Sequence, residues 1–128
     1  MSKESYLLIV DDDENILNSL RIYLNMEGYE VKVADRGAKA ISIMETEPSL
    51  PSAVLLDVMM PEMDGFEVLK EIRSNDSLKS VPVIMVTAKS QDVDVLRGYQ
   101  SEVASYITKP FNMDELVETL KLVIEKAN

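Results

Sequence analysis

The chain has 128 residues, 46% of them apolar, and a formal net charge of −10. One domain of that length with that apolar share can bury a real core without staples, which excludes disorder. It has no cysteine and no histidine, which excludes disulfides, thiol catalysis, thiolate metal sites and imidazole chemistry. Proton transfer or metal binding must then use carboxylates, lysines, hydroxyls or backbone.

The acidic surface repels nucleic acid and anionic membrane, so no direct contact with either is expected. No apolar run approaches the roughly 18 residues of a membrane span, and MSKESYLLIV is too short for a secretory signal. A cytoplasmic protein is the expectation.

Leu7 to Val10 is a continuous apolar run of strand length and suits a strand buried on both faces. Asn15 to Glu27 follows with Ile16, Leu17, Leu20, Tyr23 and Leu24 at helical spacing, closed by Gly28. Glu30 to Ala34 reads as a more polar strand, nearer an edge, and Arg36 to Thr46 as a modest helix. Pro48 and Pro51 punctuate the next loop. Ala53 to Leu56 is a third strand with Asp57 at its end, and Val58 to Gly65 is rich in turn residues. Phe66 to Ser74 is a helix, Val81 to Val86 a fourth strand, and Asp92 to Tyr99 a weaker helix interrupted by Gly98. Ala104 to Ile107 is a short fifth strand, and Asn112 to Lys126 a last helix whose Asn112 and Glu115 have capping-box spacing.

Five alternating strand–helix units imply an α/β fold, a parallel sheet with helices on both faces. Residues 1–128 read as a single domain with no repeat and no linker.

In such a sheet, ligands bind beyond the carboxyl ends of the strands. Asp11 and Asp12 follow the first strand, Asp57 ends the third, Thr87 the fourth, and Lys109 follows the fifth. If the first and third strands are neighbours, three carboxylates converge. They stay ionised cheaply only when a cation joins them. Hard oxygen ligands point to Mg²⁺, and an amine and a hydroxyl nearby suit phosphoryl oxygens. The cluster therefore looks built to handle a phosphoryl group, with an aspartate as nucleophile.

Each residue also has a plain structural reading. Asp13 is best read as a helix N-cap. Asp11 or Asp12 alone could be the same, Asp57 could begin a loop, Thr87 could cap a turn, and Lys109 could be a solvated loop lysine. Five such groups at strand ends favour a site. The EF-hand alternative fails, because Ile16 and Ile22 stand where that loop needs Gly and Glu. An aspartyl phosphatase of the haloacid dehalogenase type fails on the missing Thr or Val after Asp-x-Asp and the missing cap domain.

IVDDDENIL, LLDVMMPEMDGFEVL, PVIMVTAKS and SYITKPFN occur in that order at the expected strand ends. With these motifs the chain resembles the receiver domain of two-component response regulators, similar to the chemotaxis response regulator, over essentially its whole length. The resemblance implies a flavodoxin-like sheet of order 2-1-3-4-5. It implies that Asp57 accepts the phosphoryl group, and that Asp11, Asp12, Asp57 and the backbone carbonyl of Met59 hold Mg²⁺. It makes Thr87 and Lys109 the groups that bind phosphoryl oxygens, and Tyr106 a switch residue coupled to Thr87. It also implies a cis Lys109-Pro110 bond. Without that coupling, Tyr106 reads as a half-buried aromatic on an edge strand.

The partners implied are a histidine kinase or phosphotransfer protein as donor and a downstream protein as target, with the chain a monomer or a phosphorylation-dependent dimer. The chain is not expected to be an enzyme beyond its own phosphorylation and dephosphorylation. Met59 and Lys89 sit at positions that modulate phosphoryl loss in the family. Apolar Met59 implies slower loss than a Met59→Asn variant. Glu102-Val103-Ala104-Ser105 departs from the family's usual Gly-Ala before the Tyr, which implies a different turn at the output face. The competing functions are a degenerate receiver that binds partners without phosphorylation and a Mg²⁺-dependent phosphatase. The intact acids, Thr87 and Lys109 argue against the first, and the lack of a substrate pocket signature against the second.

Overall fold

The computed structural model describes residues 5–88, 97–99 and 101–127. Its elements are β1 (Leu7–Val10), α1 (Glu14–Met26), β2 (Val31–Ala34), α2 (Gly37–Thr46), β3 (Ala53–Asp57), α3 (Gly65–Ser74), β4 (Val83–Thr87), β5 (Ser105–Thr108) and a C-terminal helix (Met113–Ala127). The strands form one sheet in the order β2-β1-β3-β4-β5, and every pairing is parallel. The flavodoxin-like expectation is met.

The apolar runs explain the middle of the sheet. β1, β3 and β4 are buried at every residue, as strands covered on both faces must be. Alternate side chains go to opposite faces. Leu8, Val10, Val54 and Leu56 pack with Ala40 and Met44 of α2 and with Val68, Leu69 and Ile72 of α3. Leu7, Ile9, Leu55 and Ile84 pack with Leu17, Leu20 and Leu24 of α1 and with Leu116 and Leu120 of the C-terminal helix. The edge strands β2 and β5 are less buried, as the polar residues of β2 predict.

Helix ends follow local chemistry. The Asp13 carboxylate caps α1 by accepting from the N–H groups of Asn15 and Ile16, and Gly28 follows that helix with φ +99°. At the C-terminal helix the Asn112 side chain accepts from Glu115 N–H at 2.7 Å. Asp64 and Glu67 form a reciprocal capping box on α3, which starts that helix at Gly65, one residue before the expected Phe66.

Several strand boundaries differ from expectation by one or two residues. β4 begins at Val83, not Val81, because Val81 N–H closes a turn onto the Leu78 carbonyl and Pro82 has no N–H to give a ladder. β5 lies one residue later at both ends, over Ser105–Thr108, with Ala104 N–H bonded to the Val83 carbonyl just ahead of it. The helix expected over 92–99 falls, apart from its last three positions, outside the described residues.

Two features at α3 tie the sheet together. A Cβ on Gly65 would stand 2.5 Å from the Asp57 carbonyl oxygen and 2.9 Å from Val58 Cα, so only glycine lets α3 start this close to the loop after β3. At its last turn, Arg73 donates from Nε to the Glu102 carbonyl at 2.8 Å. Its Nη1 donates to the carbonyls of Lys79 at 3.0 Å and Val81 at 2.8 Å. Among the described residues no helix is long and apolar enough to cross a membrane.

Candidate functional site

The parallel register brings the acids together. Val10 pairs with Leu56, so the next residues, Asp11 and Asp57, stand side by side beyond the two central strands. Oxygen atoms of Asp11, Asp12 and Asp57 all lie within 4.8 Å of one another. Asp11 is 4% and Asp57 6% exposed, whereas Asp12 is open to solvent. One Asp11 oxygen accepts from Asp13 N–H at 2.9 Å. The cap residue of α1 thus also fixes its acidic neighbour.

Lys109 closes the cluster from β5. Its ammonium lies 3.1 Å from an Asp11 oxygen and 3.6 Å from an Asp57 oxygen. The sequence reading gave Lys109 to phosphoryl oxygens; here it also bridges two of the three acids. The bond from Lys109 to Pro110 is cis. Thr87, with no solvent exposure, ends β4, and Asp57 pairs with its neighbour Val86.

Burial, and next the charge of Asp11, push the Asp57 carboxyl up to about 6; Lys109 and an N–H donated by Met59 pull the other way. Burial pulls the Lys109 ammonium down, but Asp57 and Asp11 outweigh it and hold its pKa above the usual lysine value. A carboxyl held this high beside two other acids is short of positive charge. Three hard oxygen donors, one open to water, fit a divalent cation that keeps part of its hydration.

Met59 keeps its backbone at the cluster through that N–H, while the residue as a whole is 58% exposed. Tyr106 pairs with Met85 across the β4–β5 ladder, so its side chain shares the face of the sheet that Met85 and Thr87 use. Tyr106 is 47% exposed. Lys89 lies outside the described residues. Beside Lys109 an apolar hollow opens between α1 and the loop after β5, lined among others by Ile16, Leu20, Pro110, Phe111 and Met113. The Lys109 bridge leaves no signal in sequence, because it depends on which strands are neighbours.

A family profile described as the response regulator receiver domain matches residues 7–121. The transcriptional regulatory protein CpxR homolog of Haemophilus influenzae is 38% identical over 123 residues, which cover 96% of this chain and 52% of that protein. The alkaline phosphatase synthesis transcriptional regulatory protein PhoP of Bacillus subtilis is 36% identical, over 94% of this chain and 49% of the relative. The chain thus spans about half the length of these curated relatives. Among solved structures, a CheY-like response regulator receiver domain protein from Methanospirillum hungatei superposes with a TM-score of 0.85. It is 30% identical, over 96% of this chain and 95% of the other.

Proposed function

This chain belongs to the response regulator receiver family, and from that premise we propose that it is a phosphoryl-accepting signalling switch, with residues 1–128 acting as one receiver domain. The observation that carries the reading is the Asp57 carboxylate, buried at a strand end between a second acid and the Lys109 ammonium.

An Asp57 oxygen attacks the phosphorus of a phosphohistidine on a partner kinase or phosphotransfer protein. The nitrogen–phosphorus bond breaks, and its electron pair stays with the donor imidazole. With no histidine of its own, the chain is a recipient. With its pKa at about 6, the Asp57 carboxyl is ionised, and so nucleophilic, near neutral pH. Lys109 needs to move only slightly from Asp57 to meet charge on the transferring oxygens, and the Thr87 hydroxyl donates to another. Asp11, Asp12, Asp57 and the Met59 carbonyl would hold Mg²⁺, which would supply charge neutralisation for the transfer. The apolar hollow beside Lys109 offers a protein donor a contact surface next to the acids.

Drawing Thr87 toward the new phosphoryl group frees space on the face it shares with Tyr106. The ring of that half-exposed residue then turns inward, and the population of the surface around β5 shifts. The output is binding to a downstream protein. The chain acts on no substrate besides its own aspartyl phosphate.

Intact mass after incubation with a small acyl phosphate and Mg²⁺ tests this. A gain of one phosphoryl unit is expected in the parent, none in Asp57→Ala, and none when the metal is chelated. No gain in a folded parent that binds Mg²⁺ would instead support the phosphorylation-independent binding module.

A further inference from the structure

Every sulfur in this chain is a thioether, because it has eight methionines and no cysteine. Three of them, Met59, Met60 and Met63, fall in the loop between Asp57 and α3. Two methionines are highlighted by their exposure among the described residues: Met26 on α1 at 80% and Met59 at 58%. Met26 stands on the outer face of α1, at the end of that helix away from the acids. Met59 is held at the acid cluster, since its own N–H is bonded to the Asp57 carboxylate. Only Cα, Cβ and Cγ separate that nitrogen from the sulfur. Of these two strongly exposed methionines, one thus stands at the site and one is remote from it.

We propose that Met59 is an oxidation site whose sulfoxide shortens the life of a phosphoryl group on Asp57. The inference rests on the phosphoacceptor reading of Asp57. A peroxide oxidises the thioether by two electrons: sulfur gains one oxygen, and the other leaves as water. The product is reversible by reductases that use thiols.

The chemical change is specific. A thioether is a weak acceptor, whereas a sulfoxide oxygen is a strong one. Phosphoryl loss requires a water to attack phosphorus while the bond to the Asp57 oxygen breaks. The electron pair returns to the carboxylate, and both water protons leave with the phosphate as H₂PO₄⁻. Unoxidised Met59 cannot hold that water; a sulfoxide oxygen at the same rim accepts its hydrogen bond and orients it. One such bond of ordinary strength accelerates the loss about fivefold.

The test follows decay of the phosphoryl label by intact mass. The parent, Met26→Leu and Met59→Leu are each measured with and without prior hydrogen peroxide, and sulfoxides are located by peptide mass. Faster decay is expected in the oxidised parent and oxidised Met26→Leu, reversed by methionine sulfoxide reductase. Decay in Met59→Leu is expected to ignore peroxide, and untreated Met59→Gln, which carries a fixed carbonyl acceptor, to decay faster than the untreated parent. Unchanged decay in a parent with Met59 shown to be oxidised would overturn the proposal, as would equal acceleration in Met59→Leu. Absence of label in the untreated parent would instead overturn the phosphoacceptor reading, and this inference with it.

Discussion

Two partly buried cations occupy opposite ends of the same sheet. Lys109 stands beyond the carboxyl ends of the strands and faces the carboxylates of Asp11 and Asp57. Arg73 stands where β4 and β5 begin and faces three backbone carbonyls. Burial acts against both charges. The carboxylates more than offset it for Lys109, while burial prevails for Arg73 and, despite Glu102, lowers its pKa. A buried cation among formal charges makes a responsive site, since its partners can gain protons, a metal or a phosphoryl group. A buried cation among carbonyls makes a fastener, since none of the groups it hydrogen-bonds titrates. The residue types agree: the planar fork of arginine spans fixed carbonyls, and the compact ammonium of lysine can change partners.

The largest effect that would break this contrast belongs to the fastener. Arg73→Met is expected to cost about 3 kcal/mol, since it strands carbonyls that now accept charge-assisted bonds. The urea midpoint measures it, and a loss under 1 kcal/mol would show that water replaces the guanidinium without penalty. Mg²⁺ affinity should hold in this variant, because the acid cluster lies at the other end.

Asp57→Asn should give the next largest effect, with the opposite sign. The folded carboxyl titrates at about 6 against an unfolded value of 3.8. Between those values the folded state keeps a proton that the unfolded state has lost, so the parent loses stability as pH rises through about 4 to 6. The variant escapes that loss. It should be more stable than the parent at pH 7.5, on the order of 1.5 kcal/mol once screening at the open side is allowed for. The two should converge near pH 4 in melts without metal. A difference that does not change with pH would sink the electrostatic account.

The smallest effect, that of Lys109→Arg, sharpens the contrast when set beside the reciprocal exchange. Lys109→Arg keeps the charge and should cost less than about 1 kcal/mol, whereas Arg73→Lys keeps the charge but should forfeit more than half of the Arg73→Met loss. Equal costs for the two exchanges would mean that charge alone matters at both ends.

The asymmetry between these cations also separates what was legible. Lys109 stood out in sequence because it follows the fifth strand, at the end of the sheet where the acids gather. Arg73 did not, because one arginine near a helix end looks like any solvated residue. The Asp64–Glu67 box was readable as Asp-x-x-Glu but was masked by the turn residues around it. The late start of β4 was set by a hydrogen bond from Val81 to the Leu78 carbonyl, which strand propensity does not encode.

The sequence alone determined the alternation of strands and helices, the burial of the central strands, the cap on α1 and the set of acids at strand ends. All of these follow from local periodicity and side-chain chemistry, which neighbours in the chain already fix. The tertiary structure decided that β1 lies between β2 and β3. That order turns Asp11 and Asp57 into adjacent buried carboxyls, carries Lys109 across from β5 to bridge them, and raises the Asp57 pKa. It also set Arg73 against carbonyls from two separate loops. Distances between groups remote in the chain depend on strand order and packing, and so do the fields those groups exert on one another.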